Sequence, residues 1–183
     1  MAVTKPAGQW TYGDLFRLPD DGRQYEVIEG ELYELPPPGE RHQRTSALII
    51  QMILPSVARL GARWYHVPTG VFISGAEPVQ PDLLVLLPGN QASVSERGIE
   101  GAPDLVVEIL SPGNPKHDRV TKRLLYARGG VREYWLVSPE AEAVEVLVLK
   151  GDSYRTHVYA RDDESVTSVV LQGLSFPASA LFA

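Results

Sequence analysis

The sequence predicts a mixed α/β (α+β) fold in a single domain. Short apolar runs with strand character, such as Leu105–Leu110 and Tyr134–Val137, alternate with stretches of helical period, such as His42–Gly61. Turn-forming Gly/Pro clusters punctuate these segments throughout. The chain has 183 residues, enough for one sizeable core, and neither an internal repeat nor a second domain boundary is visible.

Each element is argued from its own residues. Residues 1–9 read as a loose leader. Thr11-Tyr-Gly-Asp14 resembles a capping box with Asp in place of Glu and opens a short helix to about Leu18. Tyr25–Glu29 and Glu31–Leu35 form a hairpin pivoting near Gly30. A helix runs from His42 to about Gly61, with Leu48, Ile49, Met52 and Ile53 inward and a kink or break expected at Pro55. Arg63–Ile73 is extended, Val79–Leu87 is a strand, and Pro88–Gly101 is a polar loop. After the strand Leu105–Leu110, Ser111–Pro115 is a strong breaker. Asp118 then caps a helix to about Arg128, with Val120, Leu124 and Ala127 inward and Lys122 at the margin. Arg132–Ser138 is a strand, Val144–Leu149 and Tyr154–Tyr159 pair as a hairpin, and Ser165–Leu171 is the last strand.

Composition bounds the chemistry. The chain has no cysteine, which excludes disulfides, thiolate metal sites and cysteine nucleophiles, and is compatible with a reducing cytoplasm. No apolar stretch reaches the length of a transmembrane helix, and the start lacks the apolar core of a signal peptide. The net charge of −6 argues mildly against a general nucleic-acid coat. Basic residues are nonetheless clustered. Lys116, Arg119, Lys122, Arg123, Arg128 and Arg132 form one group, and Arg41, Arg44, Arg59 and Arg63 with His42 form another. Such patches either grip phosphate or form a solvated face.

The most informative residue is Glu108, a carboxylate flanked by two apolar residues on each side. Left uncompensated in a covered strand, its charge costs several kcal/mol. Asp82 heads another apolar run, and Lys122 follows on a helix. Two strand carboxylates and an ammonium are the components of a site that hydrolyses phosphodiesters with Mg²⁺, or with Mn²⁺ in its place. Asp82 and Glu108 are the expected metal ligands, with the Ile109 carbonyl as a third and Lys122 facing the water or phosphate. Glu26 or Glu29 could add a carboxylate, though each also reads as an exposed strand acid. His42 is either a phosphate contact or base, or a capping residue. Asp104 shares a strand face with Glu108 but lies about 13 Å away, too far to share one metal.

Pro81-Asp82, then Pro103-Asp-Leu-Val-Val-Glu108-Ile-Leu-Ser-Pro112, then Lys122, Tyr126 and Gly130-Val-Arg-Glu-Tyr-Trp-Leu-Val137, resemble the Uma-type restriction endonuclease family of the PD-(D/E)xK nuclease superfamily. The resemblance implies a restriction-endonuclease-like core: a mixed sheet flanked by helices, here with extra antiparallel hairpins, and Mg²⁺ at the sheet's split edge. It implies a DNA endonuclease and a homodimer; the basic clusters put Arg44, Lys116, Arg119 and Arg123 toward nucleic acid, and Tyr134, Trp135 and the late hairpin offer apolar surface for the dimer, with a cytoplasmic location expected. One departure matters. The superfamily's second-strand lysine position is Leu110 here, so the ammonium falls to Lys122. That departure motivates the alternative of a non-cleaving module that binds nucleic acid or protein.

Overall fold

The computed structural model describes residues 5–15, 17–21, 23–35, 37–73, 78–111 and 117–183. In chain order the elements are α1 (Tyr12–Leu15), β1 (Gln24–Ile28), β2 (Glu31–Leu35), α2 (Glu40–Leu60), β3 (Arg63–His66), β4 (Val71–Phe72), β5 (Leu83–Leu86), β6 (Ser93–Ser95), β7 (Gly98–Glu100) and β8 (Leu105–Ile109). A π-helical turn (His117–Lys122) leads into α3 (Arg123–Gly129). There follow β9 (Glu133–Ser138), β10 (Ala143–Lys150), β11 (Ser153–Arg161), β12 (Ser165–Thr167), β13 (Ser175–Pro177) and a 3₁₀ turn (Ala178–Leu181).

The centre is a six-stranded mixed sheet in the order β11-β10-β9-β8-β5-β3. Only β8 and β9 pair in parallel, joined by the crossover that carries α3. Alternation along the strands divides the core in two. Leu83, Val85, Leu105, Val107, Ile109 and Trp135 face Ile49, Ile53 and Val57 of α2 and the C-terminal segment. Leu84, Leu86, Val106, Leu110 and Tyr134 face α3, Ile28 of the first hairpin and Ile99 of a small three-stranded sheet. Both faces of β8 are covered, which is why it reads as an almost unbroken apolar run.

The first hairpin turns through Glu29 and Gly30 with φ of 51° and 79°, the paired left-handed conformation of a two-residue turn. At the start of α1, the Asp14 carboxylate accepts the Thr11 N–H at 2.9 Å, completing the capping interaction. No helix among the described residues is long and apolar enough to cross a membrane.

Several expectations require correction. Helix α2 runs unbroken through Pro55, which sits on the solvent face with Gln51, so water can take the carbonyl that the ring leaves without a donor. Arg63–Ile73 is split between two sheets, and the polar loop after Pro88 contains the β6–β7 hairpin. The expected last strand ends at Thr167, with β13 and the 3₁₀ turn beyond it. Along the π turn and α3 the inner residues are Lys122, Leu125, Tyr126 and Ala127, whereas Val120 and Leu124 are exposed. The wide π turn shifts the helical phase, and the buried Lys122 takes a place that apolar counting assigns to Val120. Tyr134 and Trp135 are fully buried and cannot form a dimer surface; on the late hairpin Tyr159 is exposed. The breaker Pro112–Pro115, Lys116 and the first four residues of the leader lie outside the described residues, as does the Asp118 side chain.

Candidate active site

The site forms where β5 and β8 part. Their ladder ends at Leu83↔Val107, so the next residues, Asp82 and Glu108, stand beyond its last rung. There the Ile109 N–H has no strand partner from β5, and Asp82 Oδ2 accepts it at 2.7 Å. The Ile109 carbonyl points to the same side of β8 as its N–H, and so toward Asp82. The opposite carboxylate oxygen, Asp82 Oδ1, lies 3.3 Å from His42 Nε2 on the first turn of α2.

Glu108 shares its strand face with Val106 and Leu110 and turns toward α3. Lys122 Nζ lies 3.1 Å from both Glu108 oxygens. The Tyr126 hydroxyl donates to Glu108 Oε1 at 2.7 Å. Lys122 and Tyr126 are four residues apart, so they stack on one helical face over the same carboxylate. Glu26 joins from β1: its Oε2 is 3.5 Å from Lys122 Nζ, and its Oε1 accepts the Gln80 N–H at 2.8 Å. One ammonium thus stands between two carboxylates, which offsets the desolvation of all three.

Solvent access is graded. The side chains of Asp82 and His42 retain 13% and 15% of their exposure, whereas Glu108 and Lys122 retain 4% each. Asp82 and His42 form the rim, with the Lys122 cluster behind them. Burial, and then the neighbouring Glu108, push the Tyr126 hydroxyl well above its ordinary range, so it remains a donor.

The other candidates are dispersed. Glu29 is exposed and pairs with Arg128 at 2.6 Å, away from the cluster. Asp104 accepts the Leu87 N–H and the Asn90 amide and lies 3.1 Å from Arg132, holding the far end of β8. Arg119 lies 3.7 Å from Glu145, and Arg123 donates to the Tyr154 carbonyl. Arg44 is exposed on α2, one position from His42's neighbour Gln43. Tyr126 is the site residue that the sequence left without a role; its spacing from Lys122 was the available signal.

Whether the residues suit a divalent cation follows from their donors. Asp82, Glu108 and the Ile109 carbonyl offer hard oxygens, the kind Mg²⁺ and Mn²⁺ prefer. Among the described residues no three His, Asp or Glu side chains form a ready-made cage. The donor set therefore fits a cation that retains much of its own water.

A mixed sheet with a covered parallel pair, a crossover helix and acids at a diverging ladder defines a restriction-endonuclease-like α+β fold. The chain belongs to the Uma2 family, described as "Putative restriction endonuclease", whose model matches residues 12–179. The fold is shared with a crystal structure titled as "a putative nuclease belonging to DUF820" from Anabaena variabilis ATCC 29413. That likeness has a TM-score of 0.75 at 23% identity and covers 94% of this chain and 97% of the other. No curated protein matches the chain.

Proposed function

We propose that this protein is a divalent-metal-dependent endonuclease that hydrolyses phosphodiester bonds in DNA. The observation that carries the reading is a pair of adjacent contacts at the end of the β5–β8 ladder, Asp82 on the Ile109 N–H and Lys122 on the Glu108 carboxylate. Family membership supports a nuclease.

Asp82, Glu108 and the Ile109 carbonyl would hold Mg²⁺, with Mn²⁺ as a substitute. When bound, such an ion supplies Lewis acidity toward water and the phosphoryl oxygens. The remaining work falls to the chain. Lys122 offsets charge on the attacked phosphate and orients the water. His42 contacts the phosphate backbone at the rim, Arg44 adds a contact from the exposed face of α2, and Glu26 holds Lys122 in place. Lys116, Arg119 and Arg123 extend the contact along the nucleic acid. In this reading the protein works in the cytoplasm as a homodimer, whose two sites would each cut one strand.

The test is cleavage of supercoiled plasmid with Mg²⁺ or Mn²⁺ by wild type, Asp82→Ala, Glu108→Ala and Lys122→Ala, purified identically. Wild type should nick the plasmid only with metal, and each variant should lose at least 100-fold in rate, roughly the loss of one transition-state contact. Equal cutting by all four proteins would trace the activity to a contaminant and end the reading.

One observation favours a second reading, a non-cleaving binding module. Both Glu108 oxygens are engaged by Lys122, and the strand position two residues on is the apolar Leu110. Salt-dependent DNA binding without metal-stimulated cleavage would decide for it.

A further inference from the structure

We infer that Tyr126 is a positioning residue: its hydroxyl fixes the orientation of the Glu108 carboxylate, and through it the capacity of that carboxylate to take a divalent cation. The inference rests on the nuclease reading for its metal and cleavage readouts.

The geometry is specific. A carboxylate contacted only by an ammonium can rotate about its last torsion, because an ammonium is a compact charge with no directional preference. Lys122 Nζ lies at the same 3.1 Å from both Glu108 oxygens and does not distinguish them. The Tyr126 hydroxyl does, because it donates to Oε1 at 2.7 Å.

The phenol is itself immobilised. Its ring meets Tyr134 edge to face at 5.1 Å between centroids, and Tyr134 in turn lies 5.8 Å from Tyr154. At the end of this row the Tyr154 hydroxyl donates to the Val131 carbonyl at 2.7 Å. The donor is thus anchored through packed aromatic rings to the start of β9 rather than to the mobile end of a long side chain.

The experiment compares wild type, Tyr126→Phe and Tyr154→Phe. Both variants keep their rings and lose one buried hydroxyl, but only Tyr126 touches Glu108. Three readouts are taken. The first is the ¹³C resonance of the Glu108 carboxyl in glutamate-labelled protein, assigned with Glu108→Gln. The second is Mn²⁺ affinity by calorimetry. The third is plasmid cleavage as a function of Mn²⁺ and of DNA.

Tyr126→Phe should move the Glu108 resonance and weaken Mn²⁺ binding about 10-fold, as loss of a group that orients a ligand does. It should also lower the maximal cleavage rate about 10-fold while leaving half-saturation by DNA unchanged. Tyr154→Phe should match wild type in all three. A Tyr126→Phe protein with the wild-type resonance and Mn²⁺ affinity overturns the inference, as does a Tyr154→Phe protein that loses Mn²⁺ affinity equally. If Tyr126→Phe moves the resonance while wild type neither binds Mn²⁺ nor cuts DNA, the nuclease reading fails, and with it the metal half of the inference.

Discussion

Lys122 governs the charge balance of the interior. Its ammonium faces Glu108 and Glu26, and all three side chains are almost wholly buried. Removing it leaves two carboxylates in apolar surroundings without their cation. Lys122→Met should therefore lower stability by about 3–5 kcal/mol in urea denaturation, and the Lys122→Met/Glu108→Gln pair by clearly less than the sum of the single changes. On α1, the buried Asp14 has the opposite character. Hydrogen bonds from Lys5 and then from Thr11 hold its pKa down to about 2 against an ordinary 3.8. A depressed acid contributes stability that is complete above its ordinary value and lost as pH falls toward the folded one. Asp14→Asn should accordingly flatten the loss of stability between about pH 4 and 2, read as melting temperature against pH. Glu108 was legible in the sequence because a charge amid four apolar neighbours demands a partner. Glu26 was legible only as an alternative to Glu29, because hairpin alternation also fits an exposed strand acid; the folded hairpin brings Glu26 to Lys122 and leaves Glu29 with Arg128.

At the scale of elements, the π turn and α3 deliver Lys122 and Tyr126 to one carboxylate, so the seating of α3 matters. Gly129 is where it touches the small-sheet side: a Cβ there would lie 1.9 Å from Ile73 Cγ2. Gly129→Ala must push the helix or Ile73 aside. It should cost about 1–3 kcal/mol of stability, measured by chemical denaturation, and reduce plasmid cleavage although residue 129 touches no site group. The strands β5, β8 and β9 were readable because sheets covered on both faces require apolar runs. The β6–β7 hairpin was not, since Ser93, Val94 and Ser95 are exposed and Ile99 is its one fully buried side chain. The phase of α3 escaped the sequence because Lys122 and Tyr126, inward and polar-tipped, are balanced by Glu108, which apolar periodicity cannot register.

For the whole molecule, a net charge of −6 has to be reconciled with DNA as the partner. In the proposed nuclease, basic residues such as Arg41 and Arg44 near the α2 start would be the means, and their effect would depend on salt. Binding to a short duplex should weaken steeply with added salt, and Arg44→Ala should reduce the slope of log affinity against log salt by about 1 without changing sequence preference. The fold class was legible from the mixture of periods, and the proposed site residues Asp82, Glu108 and Lys122 were picked out as charges beside or after apolar runs. Their meeting point was not, because it depends on where one ladder ends. The most direct measurement is anomalous scattering from crystals of the wild-type protein grown with Mn²⁺. A peak between the Asp82 and Glu108 carboxylates is the result this account predicts. Crystals saturated with Mn²⁺ that place no ion there, with Lys122 still closed on Glu108, would contradict it.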